Sequence, residues 1–438
     1  MNAKNYYLGL LLGCGMLVLS SCEKEVYNPD NTKKTTDLVV PEGFDWAMTR
    51  SVTLSMKSEV ATSVSVYSDE KCERLLAELP VEIGENSIEL NLPSANSYVW
   101  IKYPIKNGGE ETRKISIKKV STRAAAKWTA EVLFPDYATK NGSVDVENTL
   151  YQPNKNSFGT IMFEDMWPEI GDYDFNDFVV NYKSEITYHH PENTESIDND
   201  RVCVDMTLKL RAMGGSLPYR FCIQIGGGGK TETHTSMNIL RENVTLSNVS
   251  ITNNEAIGGN VELLPEAESA IVALTGFEKL REKTSSTFYN TQQGYLVDNS
   301  ATPVIKFTLE IKSDAMNKFK GFGAEYAFDY FLQNTNNGRE IHFLDYPPTE
   351  LYKTYDNDKK SNNTTYYCSD MQFVWALKAP VEMGWSVETK DIKFVYPDFS
   401  KWVVSGGNML EGDSNWDSNN QWYNRPEKNG NYIDSQEH

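Results

Sequence analysis

The sequence predicts an all-β, mainly antiparallel chain: a small N-terminal β-sandwich followed by a larger β-rich unit with few short helices. Three observations carry this. Short runs alternating apolar and polar residues recur along the chain, the period-2 pattern of half-buried strands. Polar turns with Gly, Asn or Ser separate them. Sustained helical periodicity is scarce, and its main candidate, SAIVALTGFEKLREK over residues 269–283, is ambiguous.

In chain order, Lys4 precedes an apolar run from Tyr6 to Leu19. That run is too short to cross a bilayer and reads, over residues 1–21, as a signal peptide. Leu19-Ser20-Ser21 before Cys22 resembles a bacterial lipobox. The resemblance implies cleavage before Cys22 and lipidation of that residue. The acidic flank Glu23-Lys24-Glu25 resembles the surface-export signal of Bacteroidetes lipoproteins. Residues 22–37 are polar and read as a flexible tether. The expected location is therefore the outer membrane, through a lipid anchor, facing outward.

Residues 38–120 carry SVTLSM (51–56), VSVYS (64–68), SIELNL (87–92), YVWIKY (98–103) and KISIKK (114–119). Their number and spacing suit a small sandwich. Residues 121–157 read as a linker holding one strand or short helix near Trp128 to Leu133. The larger unit spans 158–425, with strands expected at TIMFED (160–165), DFVVNYKSEIT (177–187), RVCVDMTLKLRA (201–212), YRFCIQIG (219–226), ENVTLSNV (242–249), PVIKFTLEI (303–311) and EYAFDYFL (325–332). Pro397-Asp398 marks a helix start. Residues 426–438 read as a polar tail that frays.

The net charge is −19. Nucleic-acid binding needs a basic footprint, so it is disfavoured, as is direct adsorption to an anionic membrane. Cys72, Cys203, Cys222 and Cys368 show no CxxC spacing, which argues against a zinc site. A Cys203–Cys222 bridge is conceivable in an oxidising compartment, but free thiols are expected.

The most unusual stretch is FEDMWPEIGDYDFNDFVVNY, Phe163 to Tyr182. It holds Glu164, Asp165, Glu169, Asp172, Asp174 and Asp177, with no Lys or Arg between Lys155 and Lys183. Asp172-x-Asp174-x-Asn176 resembles the start of an EF-hand loop. The rest of that loop is absent, because its sixth position is Asp177 and its twelfth is Lys183. In an extended chain Asp172, Asp174 and Asn176 face one way and Tyr173 and Phe175 the other. Carboxylates crowded this way repel unless some stay protonated or a cation binds. Ca²⁺ takes about six to eight oxygens, so Glu164, Asp165, Asp172, Asp174, Asn176 and Asp177 are the expected ligands of a calcium ion. Gly171 is expected to allow an unusual backbone angle before Asp172.

The same stretch closely resembles the signature of the LruC-domain family of bacterial lipoproteins. Arg339-Glu340-Ile341-His342 with Pro347-Pro348-Thr349, Phe373-Val374-Trp375-Ala376-Leu377 and Tyr396-Pro397-Asp398-Phe399-Ser400-Lys401-Trp402 resemble its later motifs, as does Trp422-Tyr423. Val40-Pro41-Glu42-Gly43-Phe44-Asp45-Trp46 resembles the entry to the β-domain that often precedes it. The resemblance implies a secreted or surface-anchored β-rich protein and supplies no activity.

No catalytic constellation is expected. His189-His190 lacks an HExxH context, and no GxSxG occurs. His342 between Glu340 and Asp345 reads as structural. GGGGK at 226–230 lacks the P-loop spacing. A glycosidase carboxylate pair could be drawn from the acidic segment, but its density of acids fits calcium better. The chain therefore reads as a binding or adhesion module for a glycan or protein, with Trp416, Trp422 and Tyr423 as aromatics for ligand contact. A structural component of an envelope or fibrillar assembly is the alternative, and a glycan-active hydrolase a weaker one.

Overall fold

The computed structural model describes residues 34–121, 126–139, 146–189, 200–227, 238–255, 257–283, 287–321, 326–353, 365–408 and 421–434. Cys22 and Trp416 lie outside the described residues. The expected all-β, mainly antiparallel fold is what forms.

The N-terminal strands are β1 (Thr49–Ser58), β2 (Thr62–Tyr67), β3 (Leu75–Val81), β4 (Gly84–Pro93), β5 (Tyr98–Pro104), β6 (Glu110–Ser116), β7 (Lys118–Ser121) and β8 (Ala126–Leu133). One sheet runs β4-β1-β8-β7, and β3-β2-β5-β6 forms part of a second. Alternation sends Val52, Leu54 and Met56 of β1, Val64 and Val66 of β2, and Val99 and Ile101 of β5 into one core. Strand β1 pairs with β8 in parallel, whereas the other ladders among the described residues are antiparallel. Strand β3 escapes the alternation pattern. A bulge opposite Val66 and Tyr67 makes Leu76 the extra residue, and Pro80 lies within the strand. Both features break the period of two.

Within the segment expected as a linker, β8 completes the first sheet and β9 (Asn148–Gln152) joins two units. β9 pairs with β3 on one side, Ala77 opposite Leu150. On its other side it pairs with β11 (Phe178–His189), Ser184 opposite Gln152. One continuous sheet therefore runs from the sandwich into the larger unit.

That unit adds β10 (Gly159–Phe163), β12 (Arg201–Ala212), β13 (Tyr219–Ile225), β14 (Val244–Ile251), β15 (Asn260–Leu263), β16 (Ile271–Thr275), β17 (Val304–Lys312), α1 (Ser313–Gly321), β18 (Phe328–Asn334), β19 (Glu340–Ile341), β20 (Ala376–Ala379), β21 (Trp385–Ser386), α2 (Phe399–Val404) and β22 (Tyr432–Ile433). The long sheet continues β9-β11-β12-β17-β14, and β15-β16-β13-β18-β19 forms a separate sheet. Val204, Leu208 and Phe307 of the first share a core with Phe221, Ile223 and Tyr330 of the second. The ambiguous stretch 269–283 resolves as β16 followed by a 3₁₀ turn at Phe277–Lys283, because its β-branched half enters a sheet. Helix α2 starts where Pro397-Asp398 predicts. Cys203 and Cys222 are free thiols on strands of different sheets. No helix among the described residues is long and apolar enough to cross a membrane.

A second core forms where β10, β11 and β20 meet the C-terminal segments. Tyr173, Phe175, Phe373, Trp385, Tyr396, Phe399, Trp402 and Trp422 build it. Leu38, Val40, Phe44, Trp46 and Met48 belong to this core rather than to the sandwich that follows them in sequence. Trp46 is 4% exposed and its Nε1 donates to the Gln372 carbonyl at 2.9 Å. The end of the expected tether is docked as well, since Thr35 is buried and its N–H donates to Asp391 at 2.6 Å. At the other end, part of the expected polar tail forms β22, which pairs with β21 and buries Ile433.

Trp46→Ala is therefore expected to destabilise the protein by about 3–5 kcal/mol, the usual range for an aromatic removed from a core. Urea unfolding measures it. A loss under about 1 kcal/mol would mean that this N-terminal segment does not hold the second core.

Candidate functional site: an acidic centre between two cores

Residues 164–177 connect β10 to β11, whose ladder closes at Phe163 opposite Phe178. The connection is not extended. Gly171, Tyr173 and Phe175 have φ of 77°, 61° and 53°. The expected separation of acids from aromatics is present, but alternate left-handed residues produce it rather than a strand. Tyr173 and Phe175 are fully buried in the second core. Left-handed backbone is costly for aromatic residues, and contacts on both sides hold it here. The Tyr173 and Phe175 N–H groups donate to Glu164 Oε2 and Oε1 at 3.3 and 2.6 Å. The Tyr173 hydroxyl donates to the Val374 carbonyl at 3.1 Å. Gly171 meets its expectation of an unusual angle. It also leaves room for Glu164, because a Cβ there would sit 2.7 Å from Oε2.

The structure brings all six expected ligands into this corner. Glu164, Asp165, Asp174 and Asn176 are buried, Asp177 is half-buried, and Asp172 lies exposed at the rim. Carboxylate oxygens of Glu164, Asp172 and Asp174 lie within 4.8 Å of one another. Asp174 Oδ2 accepts from Asn176 Nδ2 and from the Thr389 N–H, both at 2.8 Å. Asp177 Oδ2 accepts from the Asp165 N–H at 2.7 Å.

In this corner the buried oxygens Asp165 Oδ2 and Asn176 Oδ1 have no donor. The Asn176 assignment follows from its network. Its Nδ2 faces the acceptors Asp174 Oδ2 and the Ser386 carbonyl, so the acceptor must be the other amide atom. Gly214-Gly215 closes over both oxygens. A Cβ on Gly214 would fall 1.9 Å from Asn176 Oδ1 and 2.7 Å from Glu388 Oε2. A Cβ on Gly215 would fall 2.0 Å from Asp165 Oδ2 and 3.2 Å from Asp177 Oδ1. Glu388 is the member that sequence reasoning missed. It comes from the loop after β21, far along the chain, and no spacing in its neighbourhood marks it.

Burial pushes Glu164, Asp174 and Asp177 well above the usual carboxylate range, and the neighbouring carboxylates add to the rise. Asp172, open to solvent on one side of the rim, is raised by the partial desolvation of its carboxylate, against a backbone bond and Lys34. Asp165 is also raised by burial, against a backbone bond from Leu217 and the charge of Arg281. Burial, with Asp172 and Asp165 nearby, lifts Glu388 to about 7 despite its bond from Thr291. A cluster in which every carboxylate resists ionisation needs protons or cations. Buried oxygens without donors, in a set of carboxylates and one amide, match the hard-oxygen chemistry of Ca²⁺.

The other sequence candidates fall elsewhere. Trp422 and Tyr423 are 0% and 4% exposed. They pack with Tyr396, Phe399 and Trp402 in the second core, so their faces cannot meet a ligand. His342 is fully buried. Its Nδ1 lies 2.8 Å from Asp329 and its Nε2 lies 3.2 Å from Glu340. Burial alone would lower its pKa, but the two carboxylates outweigh this and hold it near 9. Its ring stacks on Phe331 at 4.4 Å.

Residues 199–416 match the family model DUF4842, described as a domain of unknown function. A crystal structure from Bacteroides ovatus, of a protein provisionally named a lipoprotein, superposes with a TM-score of 0.64 at 23% identity. The match covers 85% of this chain and 99% of that one, and the likeness is one of fold. The major pilins BcpA of Bacillus cereus and SpaD of Corynebacterium diphtheriae reach TM-scores of only 0.15 and 0.16, at 8% and 11% identity. Each covers 67% of this chain, with 66% and 63% of the pilin covered. No curated protein matches the chain.

A pH dependence follows from the raised carboxylates. Glu388 has a folded value near 7 against an ordinary 4.5. The folded protein thus holds a proton that the unfolded chain releases. Its contribution to stability is complete below the unfolded value and is lost as pH rises through the folded one. In chelator the melting temperature should fall between about pH 5 and 8, and millimolar Ca²⁺ should cancel the fall. A rise in chelator over that range would contradict this electrostatic account.

Proposed function

We propose that this chain is a lipid-anchored β-protein of the cell envelope whose acidic centre is held together by Ca²⁺, and that it serves as a ligand-binding or adhesion module. The observation that carries the calcium reading is the convergence of Glu164, Asp172 and Asp174 within 4.8 Å. Glu164 and Asp174 are buried there. Lipid anchoring is supported by the lipobox-like Cys22, and the Bacteroides ovatus likeness is consistent with it. The LruC-like motifs agree with surface display. Calcium here has a structural role: it would fix the loop that joins both cores and thereby rigidify the displayed surface. The ligand is a glycan or a protein. Because Trp422 and Tyr423 are core residues, its contacts must come from other side chains.

Calcium should raise the melting temperature. At a hundredfold excess over Kd the stabilisation is about 2.7 kcal/mol. Asp174→Ala should abolish the rise. No shift with Ca²⁺ in the unaltered protein, or an undiminished shift in Asp174→Ala, would sink the calcium reading.

A further inference from the structure

We infer that the cleft between the sandwich and the larger unit binds a short, uncharged oligosaccharide, with Trp128, Tyr326, Phe343 and Tyr346 as its stacking surface and Arg50 as a hydrogen-bond donor. This inference rests on the ligand-binding reading above and gives that reading a place on the molecule.

The cleft follows from how β1 meets β8. Their parallel ladder starts only at Thr53, opposite Thr129. Residues 49–51 of β1 pair with β4 on their other side, Arg50 opposite Leu92. Trp128, one residue before the ladder, lines the gap together with Arg50, whose guanidinium stacks 3.6 Å from the centroid of its ring. The larger unit contributes Tyr326, Phe343 and Tyr346, with Lys378 of β20. Residues 45–48 of the docked N-terminal segment line the cleft as well. The space measures about 430 Å³, within the roughly 300–1,000 Å³ of small-molecule sites, which favour the junctions between domains.

The aromatic part of the lining is continuous. Tyr346 touches both Tyr326 and Phe343, with ring centroids 6.2 and 5.9 Å apart. Trp128, Tyr326 and Phe343 are half-buried and keep part of their surface open. A peptide is read by separate pockets for alternate side chains. One unbroken aromatic surface instead suits the C–H face of a sugar ring.

The polar part of the lining carries both signs of charge. Arg50 is half-buried and has no carboxylate partner among the described residues. Its Nη2 donates to the Asn96 carbonyl, and its Nε is a buried donor without an acceptor. Burial lowers its pKa to about 10, with no carboxylate close enough to offset the loss. Buried Arg is ordinarily paired, and this chain carries 61 acidic residues that could have paired it. Its stacking on Trp128 and its bond to Asn96 hold it ready for an oxygen acceptor. Lys378 adds a second cation, and Asp45 and Glu89 add two carboxylates. Two cations against two anions favour neither an anionic nor a cationic ligand. Donors and acceptors beside aromatic faces match hydroxyl groups, each of which both donates and accepts.

The detergent-solubilised full-length protein is tested against immobilised neutral hexose and N-acetylhexosamine oligosaccharides, uronate oligosaccharides and a peptide library. Titration calorimetry then measures the best binder, with circular dichroism to confirm folding. The expected result is binding to a neutral oligosaccharide, weakened about tenfold or more in Trp128→Ala and in Arg50→Met, as for the loss of an interface anchor. Tyr98→Ala, which removes an exposed aromatic outside the cleft, should leave the affinity unchanged. If Trp128→Ala does not fold, Tyr326→Ala reads the same surface and should weaken binding likewise. Oligosaccharide binding that survives the cleft variants would overturn the site and leave the ligand-binding reading standing. Binding confined to uronates or to peptides would overturn the ligand class and also leave that reading standing. No binding to any member of the three sets would overturn the inference together with the reading on which it rests.

Discussion

The architecture of the larger unit depends on a concentration of buried negative charge at the seam between its two cores. Glu164 ends β10 and accepts the N–H groups of Tyr173 and Phe175. Those aromatics are the wedge that the acidic loop drives into the second core. Loop conformation, aromatic packing and charge are thus one coupled arrangement. If the loop turned outward to solvate its carboxylates, Tyr173 and Phe175 would have to leave the core. Burying both rings favours the inward loop by several kcal/mol, and the repulsion among carboxylates opposes it. The balance between these two effects sets how firmly the loop keeps its inward form.

The strands were largely legible because alternation is a local property. SVTLSM, SIELNL, YVWIKY and RVCVDMTLKLRA all fall on strands with one buried face. What escaped depends on partners distant in sequence. β3 is disguised by its bulge and Pro80, and β9 is a short run whose role comes from bridging β3 and β11. β22 has meaning only beside Trp385-Ser386. The extent of aromatic burial was also hidden. Trp422 and Tyr423 sit in a polar, loop-rich stretch, yet they pack inside a cluster assembled from segments spread along the whole described chain.

The site shows the same division. Its six residues from Glu164 to Asp177 could be read together because they occupy one segment. Their geometry was misjudged, since alternation of residue types does not distinguish a strand from a loop with alternate left-handed residues. Glu388, Gly214 and Gly215 were invisible for a different reason. An isolated Glu and a Gly-Gly pair are common in loops, and their significance arises only from what stands opposite them.

The docking of residues 34–48 determines how the molecule carries mechanical load. Tension applied from the N-terminal side would not reach the sandwich first. It enters at Thr35, held by Asp391, and passes through Phe44 and Trp46 into the aromatic core beside α2. The sandwich lies downstream, shielded from the pull until that clasp yields. A pull on the chain from that end would therefore load the aromatic core, to which the acidic loop contributes Tyr173 and Phe175, before it loads the sandwich.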